Sequence, residues 1–117
     1  ADAEVDCYLS GWSTSTGDAD WGLRPMLATE SEPPMSYNIS YYENEKVDQL
    51  LKDGLATADE DKRDEIYAEV QDIVWQDLPL LCISNDKNIW ATSNNITGVY
   101  LLGDGSIGMR NARMAAE

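Results

Sequence analysis

The sequence predicts an α/β fold, built from a mixed sheet and two amphipathic helices. Apolar and polar residues alternate near the start of the chain, which is typical of a half-buried strand. Two central segments carry apolar residues at the spacing of one helix face, and three short apolar runs follow them. The order strand, loop, two helices and three strands indicates an α/β layer in one small domain.

The first strand is predicted over residues 4–12. Val5, Cys7 and Leu9 alternate with an aspartate, a tyrosine and a serine, and Gly11 ends the run. This alternation would place one set of side chains on a buried face of the sheet and the other set on its opposite face.

A polar loop is predicted over residues 13–22, where hydroxyl side chains, two glycines and two aspartates provide turn-forming residues. A short helix is expected near residues 21–28, although Pro25 limits where it can begin. Residues 29–42 include the pair Pro33-Pro34 and look irregular.

The first amphipathic helix is predicted to begin after Asn44, whose side chain is a good N-cap. Gly54 weakens this helix because glycine is a poor helix former. Its apolar face consists of Val47, Leu50, Leu51 and Leu55, at the spacing i, i+3, i+4 and i+8.

The second amphipathic helix is predicted to open around residues 59–61, where acidic side chains lie at the positive end of the helix dipole. Pro79 closes it, because the residue before a proline disfavours helical backbone. Its apolar face consists of Ile66, Val70, Ile73 and Val74.

The remainder of the chain is predicted to be β-like. From Gly103 onward the sequence is rich in glycine and then polar, and we expect it to fray. The predicted strands cover residues 80–84, 89–92 and 99–102, separated by turns at 85–88 and 94–95.

The charge of the chain restricts its partners. Twenty-two acidic and eight basic residues give a formal net charge of −14. This charge would repel nucleic acid and disfavours an anionic membrane surface. It is typical of a solubilising surface, and the alternative interpretation is a field that attracts a cationic group such as a ligand ammonium.

The reactive side chains favour neither an enzyme nor a metal protein. The chain has two cysteines, Cys7 and Cys82, and no histidine, so the usual zinc sites and histidine-dependent nucleophiles are excluded. We therefore predict no cofactor. Both cysteines lie in apolar runs and are expected to be buried thiols, with a disulfide as the alternative in an oxidising compartment.

Targeting signals are not visible in the sequence. No run reaches the roughly 18 apolar residues that a membrane-spanning helix needs. The acidic start, Ala1-Asp2-Ala3-Glu4, lacks the basic segment of a signal peptide. A mature, a truncated and a cytosolic chain stay open as alternatives on composition alone.

Five motifs occur in a fixed order over roughly residues 4–108. They are Gly11-Trp12 with the run Gly-Asp-Ala-Asp-Trp at 17–21, the segment 44–51, the segment 61–73, Asp77-Leu78-Pro79, and the run Asn-Ile-Thr-Gly-Val at 95–99. In this order and spacing they resemble the C-terminal stretch of the family 5 extracellular solute-binding proteins. These are the dipeptide-, oligopeptide-, nickel- and glutathione-binding components of ABC importers, and residues 11–21 are most similar to the glutathione-binding branch.

The resemblance implies a fragment of a type II periplasmic-binding-protein fold. Residues 1–117 would form one domain, the C-terminal (back) lobe fragment of a two-lobed protein, with residues from about 85 onward crossing toward the missing lobe. It also implies a periplasmic or cell-surface-attached location, permease subunits as partners, and a peptide-like ligand, glutathione or a short peptide. The glycosylation patterns at Asn38 and Asn95 would be incidental in such a bacterial protein.

The polar loop is the candidate ligand-binding site that the resemblance implies. A peptide-like ligand carries an ammonium, and burying it without a partner costs several kcal/mol. Many peptide-binding members have an aspartate where this chain has Ser15, which leaves Asp18 or Asp20 to take over that role. The candidate ligand-binding residues are Trp12, Ser13, Thr14, Ser15, Asp18, Asp20 and Trp21.

Most of these candidates also have a purely structural interpretation. Trp12 and Trp21 would then pack in the core, and Asp18 or Asp20 would cap the helix that begins near Trp21. Arg24 would form a surface salt bridge rather than bind a ligand carboxylate.

The sequence thus predicts the solute-binding component of an importer, not an enzyme. The alternative is a self-associating interaction module, a homo-oligomer of the fragment with no ligand of its own, which an exposed apolar patch would favour.

Overall fold

The computed structural model describes residues 6–115. The chain divides into two compact units, with the boundary between Leu81 and Cys82. In the part of the chain that is described, the first unit contains three α-helices and the second contains two antiparallel two-stranded sheets. The predicted α/β class is confirmed only in the coarse sense that the structure combines helices with small sheets. The predicted mixed sheet is not formed, because both sheets over residues 6–115 are purely antiparallel.

Helix α1 spans Ala19–Leu27 and begins two residues before the expected start. Asp18 is its N-cap, since its side chain accepts a hydrogen bond from the backbone N–H of Asp20. Pro25 lies inside the helix, so the expectation that it limits where the helix begins is wrong. A single 3₁₀ turn follows at Thr29–Ser31.

Helix α2 spans Glu45–Ala56, and the predicted N-cap is confirmed. The Asn44 side chain accepts hydrogen bonds from the backbone N–H groups of Lys46 and Val47 at 3.0 and 3.2 Å. Val47 and Leu51 are fully buried, whereas Leu55, predicted on the same face, is 62% exposed. The buried face continues through Gly54 instead, so the predicted face is wrong at Leu55.

Helix α3 spans Glu60–Asp77. Asp59 caps its start by accepting from the backbone N–H of Lys62 at 3.2 Å. At its end Leu78 adopts left-handed backbone (φ 50°) and donates to the carbonyl of Val74 at 2.9 Å. Because Pro79 follows directly, the helix ends where the sequence predicts.

The core of the first unit forms where the three helices pack together. Gly54 of α2 lies against the ring of Tyr67 on α3, and a Cβ atom at position 54 would be 2.8 Å from the ring carbon Cζ. Glycine at position 54 thus lowers the intrinsic stability of the helix, but it permits the close approach of this ring. The core side chains are those of Leu27, Ala28, Val47, Leu51, Tyr67 and Val70.

The irregular segment before α2 is held by Asn38, which is fully buried. Its amide nitrogen donates to the carbonyls of Ala28 and Tyr42 at 3.0 and 2.9 Å. Its oxygen accepts from the Ser40 hydroxyl and the Tyr42 backbone N–H at 3.0 and 3.1 Å. A glycan cannot be attached to a side chain in this position, so the match to the glycosylation pattern is incidental here.

The second unit contains four strands of two residues each within its described part. Strand β1 (Ile96–Thr97) pairs with β4 (Arg113–Met114), and β2 (Tyr100–Leu101) pairs with β3 (Ile107–Gly108). Tyr100 lies opposite Gly108, where a Cβ atom would be 2.3 Å from the tyrosine ring. Glycine is therefore required for this cross-strand pair.

Several predicted strands are wrong. Residues 6–12 of the first predicted strand, and the runs 80–84 and 89–92, form no strand, while residues 4–5 lie outside the described part. An alternating or apolar pattern fits a strand, but the backbone becomes one only when a neighbour pairs with it. No described segment supplies that neighbour.

Closer to the end of the chain the outcome is mixed. The predicted turn at residues 94–95 is confirmed, and Ile96 donates to the carbonyl of Ser93 at 3.0 Å across it. The run 99–102 contains β2. The expectation of fraying from Gly103 is wrong up to residue 115, because β3 and β4 lie there and Gly105 adopts the positive φ (82°) that the turn needs.

Cys7 and Cys82 are free thiols, and both are exposed, so their predicted burial is wrong. Within residues 6–115 the segments around them do not join a sheet that would bury one of their faces. No helix within residues 6–115 is long and apolar enough to cross a membrane.

Candidate functional site

The loop predicted over residues 13–22 ends at Asp18, because residues 19–22 belong to α1. Residues 11–18, called the polar loop from here on, lie directly before α1 and present hydroxyl groups at the surface. Ser13 and Ser15 are exposed and Thr14 is half-buried. The methyl group of Thr14 lies over Gly22, where a Cβ atom would be only 3.3 Å away. The loop thus rests on the first turn of α1 while its serine side chains point outward.

Trp12 attaches the start of this loop to α1. Its indole nitrogen donates to the carbonyl of Trp21 at 3.1 Å. In an ideal helix that carbonyl would accept from residue 25, but Pro25 has no N–H to donate. The proline inside α1 therefore leaves an acceptor open, and the indole of Trp12 satisfies it.

Three aromatic rings form a cluster beside the polar loop. Trp12 is half-buried between Trp21 and Tyr37, with ring centroids 6.3 and 5.0 Å away and tilted planes. Trp21 is 42% exposed and Tyr37 is 58% exposed. Tyr37 is fixed by its backbone N–H, which donates to the carbonyl of Pro25 at 3.1 Å. This aromatic cluster (Trp12, Trp21, Tyr37) is a partly open apolar surface.

Asp18 closes the loop and is held from two sides. It accepts from the backbone N–H of Asp20 at 2.8 Å, and both of its oxygens accept from the guanidinium of Arg63, at 2.9 and 3.1 Å. The hydrogen bond from Asp20, and then the bond from Arg63, lower the pKa of Asp18 below its usual value. Asp18 therefore stays ionised at neutral pH, and both of its oxygens accept hydrogen bonds within the protein.

Asp20 lies behind the loop and is buried. Its carboxylate accepts from Arg24 in a fork, with Nε 3.0 Å from both oxygens and Nη2 2.6 Å from one of them. Arg24 also donates to the carbonyl of Leu51 at 2.5 Å, so this ion pair joins α1 to α2. Arg24 therefore forms the salt bridge that the sequence suggested, but the prediction of a surface position is wrong, because the Arg24 and Asp20 side chains are only 16% and 13% exposed.

The predicted site residues are thus brought together in two layers. The outer layer contains Trp12, Ser13, Thr14, Ser15 and Trp21. The inner layer is defined by pairing with an arginine and contains Asp20, whose side chain is 13% exposed, and Asp18, whose side chain is 41% exposed. Among residues 6–115 no group of three histidine, cysteine or acidic side chains is arranged to hold a metal ion.

Two contributors to this site were missed by the sequence reasoning. Tyr37 belongs to a cluster of tyrosines in the sequence, but no pattern shows that it packs on Trp12. Arg63 lies 45 residues from Asp18, inside a helix whose exposed face is rich in charge. The one local signal is that Arg63 lies four residues before Tyr67, a spacing that places the two side chains side by side on a helix.

Comparison with known proteins gives a consistent group of relatives. No family model matches the sequence. The glutathione-binding protein GsiB of Pectobacterium atrosepticum is 38% identical over 100 residues, which cover 86% of this chain and 20% of that protein. The proteins of the same name from Escherichia coli and Shigella flexneri are 36% identical over 108 residues, which cover 92% of this chain and 21% of theirs.

The chain therefore spans about one fifth of the length of the relatives it matches. By name these relatives are glutathione-binding proteins, in agreement with the prediction that this chain is not an enzyme. The resemblance found in the sequence is confirmed as homology: about nine tenths of this chain is homologous to about one fifth of the glutathione-binding protein GsiB, which is a family 5 solute-binding protein.

Proposed function

We propose that this chain supplies part of the ligand site of an extracytoplasmic solute-binding protein of an ABC importer, and that the polar loop binds glutathione or a short peptide. The observation that carries the proposal is the outer layer of the loop, where free hydroxyl groups stand beside a partly open aromatic cluster. The glutathione-binding names of the relatives support the choice of ligand.

The outer layer suits the chemistry of a peptide. Ser13 and Ser15 can donate to and accept from the amide groups of a ligand, because a hydroxyl does both. The faces of Trp12 and Trp21 can pack against its apolar parts or attract its ammonium through a cation–π interaction. Ligand sites of this kind combine a few polar groups with an aromatic frame.

The inner layer sets the local potential. Asp18 and Asp20 are each paired with an arginine, so the two ion pairs carry no net charge, and a ligand ammonium is favoured by the formal net charge of −14 of the whole chain. Because Arg63 and Arg24 compensate the charge of the two aspartates, a ligand carboxylate nearby is repelled less than it would be by free aspartates. A zwitterionic peptide fits such a surface better than a simple cation does.

The larger architecture belongs to the same proposal. This segment would form part of the back lobe of a type II periplasmic-binding-protein fold, with residues from about 85 onward crossing toward the other lobe. Closure of two lobes would enclose the ligand and present it to the permease subunits in the periplasm or at the cell surface. The comparisons give no support to self-association, the alternative that the sequence offered, and it is not proposed.

The experiment is a titration of the ¹⁵N-labelled chain with glutathione, followed by the indole N–H signals and the backbone amides. We expect millimolar glutathione to shift the Trp12 indole and the amides of Ser13 and Ser15, since half of a cleft binds weakly. Trp12→Ala should abolish the response. Trp75→Ala is the matched control, because Trp75 is 70% exposed on α3 and should leave the response unchanged.

A panel of di- and tripeptides in the same titration tests the ligand class. Shifts with a tripeptide but not with glutathione would replace the ligand and keep the site. If neither glutathione nor any peptide moves the loop signals, or if the shifts lie outside residues 11–21, the proposed site is wrong.

A further inference from the structure

An ion pair between Asp18 and Arg63 joins the polar loop to α3. The two partners are 45 residues apart, and the guanidinium Nη2 of Arg63 lies 2.9 and 3.1 Å from the two oxygens of Asp18. The Nε of the same group donates to the carbonyl of Gly54 at 3.1 Å. One side chain of α3 therefore contacts both the end of the loop and the last turns of α2.

The guanidinium is held in this orientation by Tyr67, four residues further along α3. Its Cζ lies 5.4 Å from the centre of the tyrosine ring, and Nη2 donates to the tyrosine hydroxyl at 3.3 Å. That ring is buried and fits against Gly54, where no larger residue would leave room for it. Because a planar guanidinium with several fixed partners loses little further freedom, it can fix a carboxylate in place.

We propose that Arg63 is a positioning residue, which fixes the polar loop through Asp18 and keeps Asp18 from being the direct partner of a ligand ammonium. The second half of the proposal rests on the proposed function, whereas the first half does not. The Asp18 side chain is 41% exposed, so Arg63 does not cover it. Because the guanidinium contacts both oxygens and compensates their charge, Asp18 attracts a ligand ammonium less than a free carboxylate would, and the ammonium contacts the outer layer of the loop instead.

The first test is independent of any ligand. Arg63→Ala should shift the Trp12 indole signal, assigned with Trp12→Phe, and the amides of residues 13–17, while the amides of Val47 and Val70 keep their positions. Arg63→Lys should restore the signals in part, because an ammonium keeps the charge but has no second nitrogen to contact Gly54 while the first contacts Asp18. Lys62→Ala is the matched control, since Lys62 is the adjacent residue, its side chain is 71% exposed and it pairs only loosely with Asp59 at 3.8 Å.

The outcomes of this test separate positioning from a general loss of stability. If Arg63→Ala leaves the loop signals at their wild-type positions, the proposal is overturned. If Arg63→Ala does not fold, Asp18→Asn decides, because asparagine keeps the helix cap and removes the charge. Asp18→Asn should then move the same loop signals, and unchanged signals would overturn the proposal as well.

The second test uses glutathione with Arg63→Ala and Lys62→Ala. We expect the response at Trp12 to weaken severalfold in Arg63→Ala and to stay unchanged in Lys62→Ala. A stronger response in Arg63→Ala would mean that the released Asp18 captures the ammonium, which would overturn the second half of the proposal. If the wild-type chain gives no response to glutathione, the proposed function fails, while the loop signals still decide whether Arg63 positions the loop.

Discussion

The residues before Cys82 and those from Cys82 onward use their apolar side chains in different ways. In the first unit Leu51, Val47 and Val70 are fully buried in a core shared by three helices. In the second unit Ile83 is 72% and Ile89 is 88% exposed, and Gly108 is the one residue that is buried in its described part. The two regions have similarly apolar runs in sequence, so the difference comes from what each run can pack against.

Helices and strands differ in what they need from the rest of a chain. A helix satisfies its backbone groups internally and then needs one apolar neighbour, which α2 and α3 provide for each other. A strand needs a paired neighbour for its backbone as well as a covered face, and two-stranded pairs of this length are marginal on their own. The first unit therefore holds its own core, whereas the second presents its apolar side chains to solvent.

The largest effect on stability is expected when a core side chain is removed from the first unit. Leu51→Ala should lower the free energy of unfolding by about 2–5 kcal/mol, because it removes a fully buried side chain and leaves a cavity. Urea denaturation followed by far-ultraviolet circular dichroism measures the change. The loss would be a large share of the 5–15 kcal/mol typical of a small domain.

Leu55→Ala is the matched control on the same helix, since Leu55 is 62% exposed. We expect its effect to stay within about 0.5 kcal/mol. Equal losses for the two variants would contradict the core described here, because they would mean that the exposed end of α2 is covered in solution.

A smaller loss is expected when the buried polar anchor of the first unit is removed. Asn38→Ala deletes four hydrogen bonds and leaves the carbonyls of Ala28 and Tyr42 without that donor. A buried group left unpaired costs about 1–3 kcal/mol, and we expect a loss in this range from the same denaturation measurement.

Asn95→Ala is the corresponding control in the second unit, because Asn95 is exposed in a turn and matches the same sequence pattern. It should change the free energy of unfolding by less than about 0.5 kcal/mol. If Asn95→Ala lowered the free energy of unfolding more than Asn38→Ala does, the prediction would be wrong, because the exposed asparagine would then stabilise the fold more than the buried one.

The local parts of the fold could be predicted, and the non-local parts could not. Both central helices follow from periodicity, and the Asn44 cap follows from its side chain, because these signals act within one or two turns. Asn38 gave no such signal, since an asparagine in a polar segment is usually exposed. Its burial depends on contacts with residues up to ten positions away, and the failed strands likewise depend on partners that no pattern names.

The candidate site also has a local part that could be predicted from the sequence and a non-local part that could not. The loop with its hydroxyls, and Asp18 as a helix cap, follow from turn chemistry and capping. The partners that fix the site do not, because Tyr37 reaches Trp12 and Arg63 reaches Asp18 only through the packed helices. The sequence therefore identifies which residues are available for binding, and the tertiary contacts decide which of them stay free.

The smallest effect is expected in the second unit, and it tests whether the apolar side chains of that unit are exposed in solution. Ile89→Ser replaces a side chain that is 88% exposed, so it should change the free energy of unfolding by no more than about 0.5 kcal/mol. Val70→Ser, at a fully buried position of α3, is the contrasting variant and should lower stability severalfold more. If Ile89→Ser instead lowers stability as much as Val70→Ser does, the apolar run around residue 89 has a packing partner in solution. The contrast between a self-sufficient helical unit and an uncovered β unit would then fail, because both would depend on buried apolar contacts.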